Sequence, residues 1–280
     1  MTKKILLSSV VVVAAAAVVV GATTAFFSDT ETSTGNTFTA GAIDLQIDND
    51  SYYSALDGLV SSGTSWIQKD LEDGDWFFNF SDLKPGDWGE DTISLHVNNN
   101  DAYACVDVRL DSNDDVSSTE PELEDGDVHV DDNPEGELAN RVNFIWWVDD
   151  GDNVWEDDEQ LLPAGPLGNL NVGQVATVAL AEPNNGGIFG GALTGNQTYY
   201  IGKAWCFGGF NEDWLDDPPA QDDGEDADRS PITHPVVCDG SGEDNQTQTD
   251  SLSATISFYA EQARNNDGFE CSAHLGNQLD

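Results

Sequence analysis

The chain has 280 residues and a formal net charge of −44, from 53 Asp and Glu against 9 Lys and Arg. That balance makes nucleic acid and anionic membrane surfaces poor partners, and its self-repulsion opposes folding except near molar salt, where the Debye length falls to about 3 Å, so the composition reads as halophilic. An acidic disordered chain is excluded for most of the length, because 39% of residues are hydrophobic and eight tryptophans, interleaved with the acids, need a core to pack in.

The N-terminus reads as an export signal. Lys3 and Lys4 precede a stretch from Ile5 to Val20 that is apolar apart from Ser8 and Ser9, and small residues follow at Thr23 and Ala25. This pattern predicts a signal helix over 1–25, cleaved between Ala25 and Phe26. A retained anchor is the competing reading, since the run approaches the ~20 residues that span a bilayer. Cleavage would leave no stable membrane span and a secreted or cell-surface protein of one domain, residues 26–280.

The rest alternates short β-rich runs with long polar connections. Thr37 to Asp48 alternates in two phases, with Gly41 as a place for a bulge. Trp76 to Phe80 is an aromatic run. Ile93, Leu95 and Val97 alternate within Asp91 to Asn98, and Val106, Val108 and Leu110 within Tyr103 to Leu110. Val142 to Val148 is almost continuously apolar and suits a central strand. Gln174 to Leu180, Tyr199 to Phe207 and Leu252 to Ala263 complete eight candidates. Helical periodicity is weak beyond the signal, and Ser51 to Val60 is the best helix candidate. Eight strands separated by turn-formers predict an all-β, jelly-roll-like β-sandwich with long acidic loops. The connections 111–140, 149–173 and 208–250 read mainly as solvated acidic surface, the last as an excursion marked by Pro218-Pro219.

Export makes Cys105, Cys206, Cys238 and Cys271 disulfide partners. Three pairings are open to four cysteines. Cys206–Cys238 is favoured because it would staple the acidic excursion, and Cys105–Cys271 then remains. A zinc site is the rival, because His234 and Cys238, and Cys271 and His274, have ligand-like spacing.

No catalytic residue is named. H-E-x-x-H is absent, the histidines (His96, His129, His234, His274) are scattered, and acids are too abundant to single out a catalytic pair. His96 reads as a packing or surface residue. Calcium is the one cofactor the residues suggest. Asp149, Asp150, Asp152 and Glu156 lie in a dense run of hard oxygen ligands directly after a strand, without the register of an EF-hand; a plain acidic turn is the alternative. Sequons occur at Asn49, Asn79, Asn196 and Asn245. Asn196 and Asn245, in expected loops, are the better glycosylation candidates, Asn49 is a third, and Asn79, in an expected buried strand, is the poorest.

The stretch Gly21 to Leu45, GATTAFFSDTETSTGNTFTAGAIDL, resembles the start of the TasA/camelysin family. The similarity lies in Phe26-Phe27-Ser28-Asp29, Asn36-Thr37-Phe38, Ala40-Gly41 and Ile43-Asp44-Leu45. Leu83-Lys84-Pro85-Gly86-Asp87, followed by ISLHVNN, resembles the family's L-K-P-G-D turn, and YIGKAWCFG at Tyr200 to Gly208 resembles archaeal members. The resemblance implies processing by a SipW-type signal peptidase and export of a jelly-roll domain to the cell surface. Relatives include biofilm fibre proteins and archaeal bundling pili, whose N-terminal segment donates a strand to a neighbouring copy. Here that arm would be residues 26–36, led by Phe26, Phe27, Ser28 and Asp29, and the partner would be another copy of the chain. An arm folded back on its own domain, a monomeric calcium-dependent adhesion module and a camelysin-like metallopeptidase are the alternatives.

Overall fold

The computed structural model describes residues 43–55, 58–61, 63–72, 74–129, 135–216 and 230–274. All the elements below belong to the unit Gly41–Asp280. The expected signal helix, the Ala25–Phe26 cleavage point and the arm with Phe27, Ser28 and Asp29 lie outside the described residues.

The elements in chain order are β1 (Asp44–Ala55), β2 (Gly58–Ser61), β3 (Trp66–Lys69), β4 (Trp88–Asn98), β5 (Ala102–Asp114), α1 (Glu120–Asp125), α2 (Leu138–Arg141), β6 (Val142–Asp149), β7 (Leu161–Pro166), β8 (Val175–Ala181), β9 (Gln197–Phe207), β10 (Gly209–Phe210), α3 (Glu212–Asp216), β11 (Cys238–Asp239), β12 (Ser251–Gln262) and α4 (Cys271–His274). One sheet runs β2-β1-β4-β9-β6-β7, with β3 also on β1, and the other runs β12-β5-β8. All the pairings are antiparallel. The protein is therefore an all-β sandwich, as the alternating runs predict. Its chain crosses repeatedly between sheets, so most neighbours in a sheet are distant in sequence. The β4–β5 crossover is made in three residues, with Asn99 at φ +71°, a left-handed conformation that Asn tolerates.

The alternating residues build the core. Ile47, Ile93, Leu95, Val97 and Ile201 of the first sheet meet Ala104, Val106, Leu180 and half-buried Phe258 of the second in one cluster. Each fully buried aliphatic side chain contributes about 1.5–3 kcal/mol relative to exposure. A charged pair sits within this interior. Asp91 and Lys203, directly opposed on β4 and β9, form an ion pair in which both side chains are 0% exposed. The Lys203 ammonium lies 5.4–5.8 Å from the ring centres of Phe77, Phe78 and Trp146, and the Ser51 hydroxyl donates to Asp91 at 3.4 Å.

Two expectations fail. Ser51 to Val60 is not helix: it runs through the end of β1 and into β2. Tyr52 and Tyr53 favour strand, and pairing of Ser51–Tyr53 with Gly89–Asp91 of β4 overrides any local helical tendency. Trp76 to Phe80 is not a strand either. Its rings plug the structure: Phe77 contacts Trp66 of β3 and Phe258 of β12, Phe78 contacts Phe144, and Phe80 contacts Tyr53 and Trp205.

The connections are also less solvated than expected. The outer face of the larger sheet carries its own apolar layer, in which Trp147, Ile145 and Ala204 pack under Trp155 and Val236 from the 149–160 and 208–250 connections. Gly202 makes this possible: a Cβ there would stand 2.0 Å from Cε2 of Trp147, so only glycine lets the indole lie flat on the sheet. On the outer face of the smaller sheet, Tyr103 stacks on Phe269 of the C-terminal segment. Each covering segment is pinned by a disulfide, Cys206–Cys238 on the larger sheet and Cys105–Cys271 on the smaller. All four sulfurs are thereby used, and the zinc reading with His234 and His274 falls.

Candidate functional site

The two sheets each end in a strand bonded on one edge. Among the described residues, β7 pairs with β6 alone and both β8 and β12 with β5 alone, and the Ala179 and Leu180 carbonyls of β8 accept from the Ile188 and Phe189 N–H groups at 3.0 Å. Unpaired N–H and C=O groups along such an edge can template another strand. The interior reaching these strands is not filled. A cavity of ≈180 Å³ is lined by apolar side chains from both sheets, among them Val106, Val108, Phe144, Trp146, Leu162 and Ile256. Along β8 the residues on the cavity side are Ala176, Val178 and Leu180. Leu180 is fully buried, Val178 half-buried and Ala176 exposed, so burial on this face fails progressively toward the start of the strand. An extended segment laid against β8 would gain main-chain hydrogen bonds and place alternate side chains in the cavity.

The family-like motifs meet elsewhere, at the end of β9. In Leu83–Asp87 the Lys84 N–H donates to the Asp87 carboxylate at 2.7 Å, the Asp87 N–H to the Lys84 carbonyl at 2.9 Å, and Gly86 takes φ +91°. The turn is tied to Phe207 in both directions, Gly86 N–H to the Phe207 carbonyl (2.8 Å) and Phe207 N–H to the Asp87 carbonyl (2.9 Å). The L-K-P-G-D turn, the YIGKAWCFG strand and the Cys206–Cys238 disulfide thus form one structural corner.

The calcium candidates separate. Asp149 is buried. It accepts hydrogen bonds from the Trp147 indole N–H at 3.0 Å, Gly151 N–H at 2.9 Å and Asn153 N–H at 3.3 Å. Burial pushes its carboxyl up to about 7 against these bonds. Asp152 caps the Val154 N–H at 2.9 Å, and Glu156 is fully buried. Asp150 is exposed. Glu159, not singled out in the sequence, accepts the N–H groups of Asp150 and Glu156, and burial, with Asp149 close by, pushes its carboxyl to about 9. Among the described residues no three His, Cys, Asp or Glu side chains stand as a ready-made metal cage.

A second carboxylate group has no counterpart in the sequence reading, because its members come from four separate segments. Asp115, Asp127, Glu137 and Asp250 act on one another electrostatically, and each holds one buried oxygen without a hydrogen-bond partner. Asp250 also accepts the N–H groups of Glu137, at 2.6 Å, and Leu138, at 2.9 Å, at the start of α2.

His96 is held in the sheet by Asp48 at 2.5 Å and Thr198 at 3.1 Å. Of the sequons, Asn49 is 2% exposed and donates to the Thr64 carbonyl, so the folded chain does not present it. Asn79 is exposed, contrary to its expected burial, because its segment is not a strand. Asn196 and Asn245 are exposed, Asn245 with its amide on Asp125.

Among the described residues no helix is long and apolar enough to cross a membrane. No curated protein matches the chain. A family model described as Camelysin metallo-endopeptidase matches residues 1–59, about a fifth of the length and the part that holds the Gly21–Leu45 motif. Over those residues the chain is similar to that family, in the same segment that resembles the start of TasA/camelysin proteins.

Proposed function

We propose that the protein is a secreted structural subunit of an extracellular fibre or cell-surface matrix, assembled by donor-strand exchange. After cleavage at Ala25–Phe26 by a SipW-type signal peptidase, residues 26–36 of one copy add to β8 of the next. The three-stranded sheet gains a fourth strand, and one of the adjacent Phe26 and Phe27, which point to opposite faces of an extended strand, supplies a large apolar side chain to the cavity. The observation that supports this reading is the conjunction of an edge at β8 that no second strand covers, its Ala179 and Leu180 carbonyls bonded only by the 188–189 segment, with an apolar cavity on its inner side. The role proposed is non-catalytic, although the matching family is described as a peptidase.

Electron microscopy and sedimentation of the mature protein in molar salt test the proposal, beside a form lacking residues 26–36. Filaments from the first and monomers from the second support it. Monomers from both under all salt and calcium conditions overturn it. Casein hydrolysis abolished by chelator would favour the enzyme reading instead.

A further inference from the structure

Lys203 and Asp91 stand directly opposed on β9 and β4, the two central strands of the larger sheet. Lys203 Nζ touches Asp91 Oδ2, and both side chains are 0% exposed. Neither atom has a hydrogen-bond partner elsewhere among the described residues. The rest of the lysine's surroundings is aromatic, with the rings of Phe77, Phe78 and Trp146 centred 5.4–5.8 Å from Nζ. Glu90, next to Asp91 in β4 and also 0% exposed, points to the opposite face of the sheet, so among the described residues Asp91 is the carboxylate that Lys203 meets.

Charges so placed lose their hydration and recover it only from each other. A proton passed from Nζ to Oδ2 removes both charges and leaves an amine against a carboxylic acid. Burial favours that form: it holds the Asp91 carboxyl above its ordinary range, although Lys203 and the Ser51 hydroxyl pull it down. The two carboxyl oxygens are also distinguished. Oδ1 accepts from Ser51 Oγ at 3.4 Å, and Ser51, 0% exposed, accepts in turn from the Thr64 hydroxyl at 3.0 Å. Oδ2 faces the lysine. A nucleophile, a carboxyl carbon with one oxygen polarised by a donor, and enclosure from bulk water are the components of an acyl transfer.

We propose that Lys203 and Asp91 join in an intramolecular isopeptide bond that cross-links β4 to β9. Nζ of the neutral amine attacks Cγ of the protonated carboxyl. The C–N bond forms, the C–Oδ2 bond breaks, and Oδ2 leaves as water with the proton it already holds and a second one from Nζ. Oδ1, held by Ser51, becomes the amide oxygen. Nothing is oxidised or reduced, and no co-reactant is needed. Alignment of the two groups within one fold is worth effective molarities of about 10⁵–10⁸ M. The bond forms within one chain, whether or not copies polymerise, and ties residues more than a hundred positions apart. The ion pair is the state before reaction, and its energetics belong to the unreacted chain.

Mass spectrometry of the full chain tests this. Chain held in urea from synthesis should carry the mass its residues give. Refolded in molar NaCl, it should lose the mass of one water beyond the hydrogens lost to the disulfides. Digestion should then release a branched peptide joining the segments around Asp91 and Lys203. S51A removes the donor on Oδ1 without changing either reacting residue. With tryptophan emission reporting that it has folded, it should lose water at least about tenfold more slowly than the wild type. The inference is overturned if the refolded wild type keeps its full mass, if water is lost without a branched peptide, as in a succinimide, if the branch joins other residues, or if it forms as fast in urea as in the folded chain. S51A reacting at the wild-type rate overturns the part given to Ser51.

Discussion

Replacing Lys203 by Met removes the positive half of the ion pair between the sheets while keeping the volume of the side chain. Asp91 then stays fully buried with only the Ser51 hydroxyl, 3.4 Å away, to stabilise its charge. Breaking a buried pair in this way costs about 3–5 kcal/mol, far more than the pair contributes when compared with apolar residues. Loss of the ammonium over Phe77, Phe78 and Trp146 adds about 0.5–2 kcal/mol. Urea unfolding followed by tryptophan fluorescence in constant molar NaCl would read this as a midpoint lower by roughly 1–2 M, for a slope of about 3 kcal/mol/M. The double variant K203M/D91L should recover most of the loss, since it leaves no charge behind. Both effects should change little between 1 and 3 M NaCl, because no ions enter the site. A K203M cost below about 1 kcal/mol, or a double variant as unstable as the single, would refute the reasoning.

G202A should drive the Trp147 indole off the sheet, because the new Cβ would fall 2.0 Å from its Cε2. A cost of about 1–3 kcal/mol with a red-shifted emission spectrum is expected. Chain-entropy arguments give about 3–4 kcal/mol for loss of Cys206–Cys238, with sequence separation 32, and about 5 kcal/mol for Cys105–Cys271, with separation 166. Urea unfolding of the two double-serine variants should rank them in that order. The pH dependence follows from Glu137, raised to about 7 by burial and then by Asp127, Asp250 and Asp115, and from Asp250, raised to about 6 by burial. Both groups hold protons in the folded chain that the unfolded chain has already released. Their contribution is therefore complete below about pH 4 and is lost as pH rises through about 6 to 7. Thermal unfolding at fixed salt should show a decline over that window, and E137Q should flatten it.

The strands with clean alternation were legible in the sequence because the period-2 pattern of Ile93, Leu95 and Val97, or of Val106, Val108 and Leu110, survives whatever the partner strand is. The aromatic run at Trp76–Phe80 was misleading for a physical reason. The same rings that favour a strand also serve as plugs, and only tertiary contacts with Trp66, Phe144, Phe258 and Trp205 distinguish the two. Ser51–Val60 was lost to pairing with β4, a partner some forty residues away. The favoured disulfide pairing was reached by loop reasoning and holds. The covering role of both loops was not legible, because a stretch such as 149–160 is acidic in composition yet buries Trp155 and Val154 beneath that charge. Glu90 was invisible for a related reason: in a chain with 53 acids, one more Glu in a strand carries no signal until its burial is seen.

Disulfide trapping between two single-cysteine variants, F27C and A176C, tests the central account most directly. Ala176 is exposed on the cavity side of β8, and the native cysteines are all paired. Mixed, oxidised F27C and A176C chains should form a covalent dimer joining arm to edge, and neither variant alone should. If the bond forms only within single chains carrying both changes, the arm belongs to its own domain. If it forms in neither case, β8 is not the acceptor.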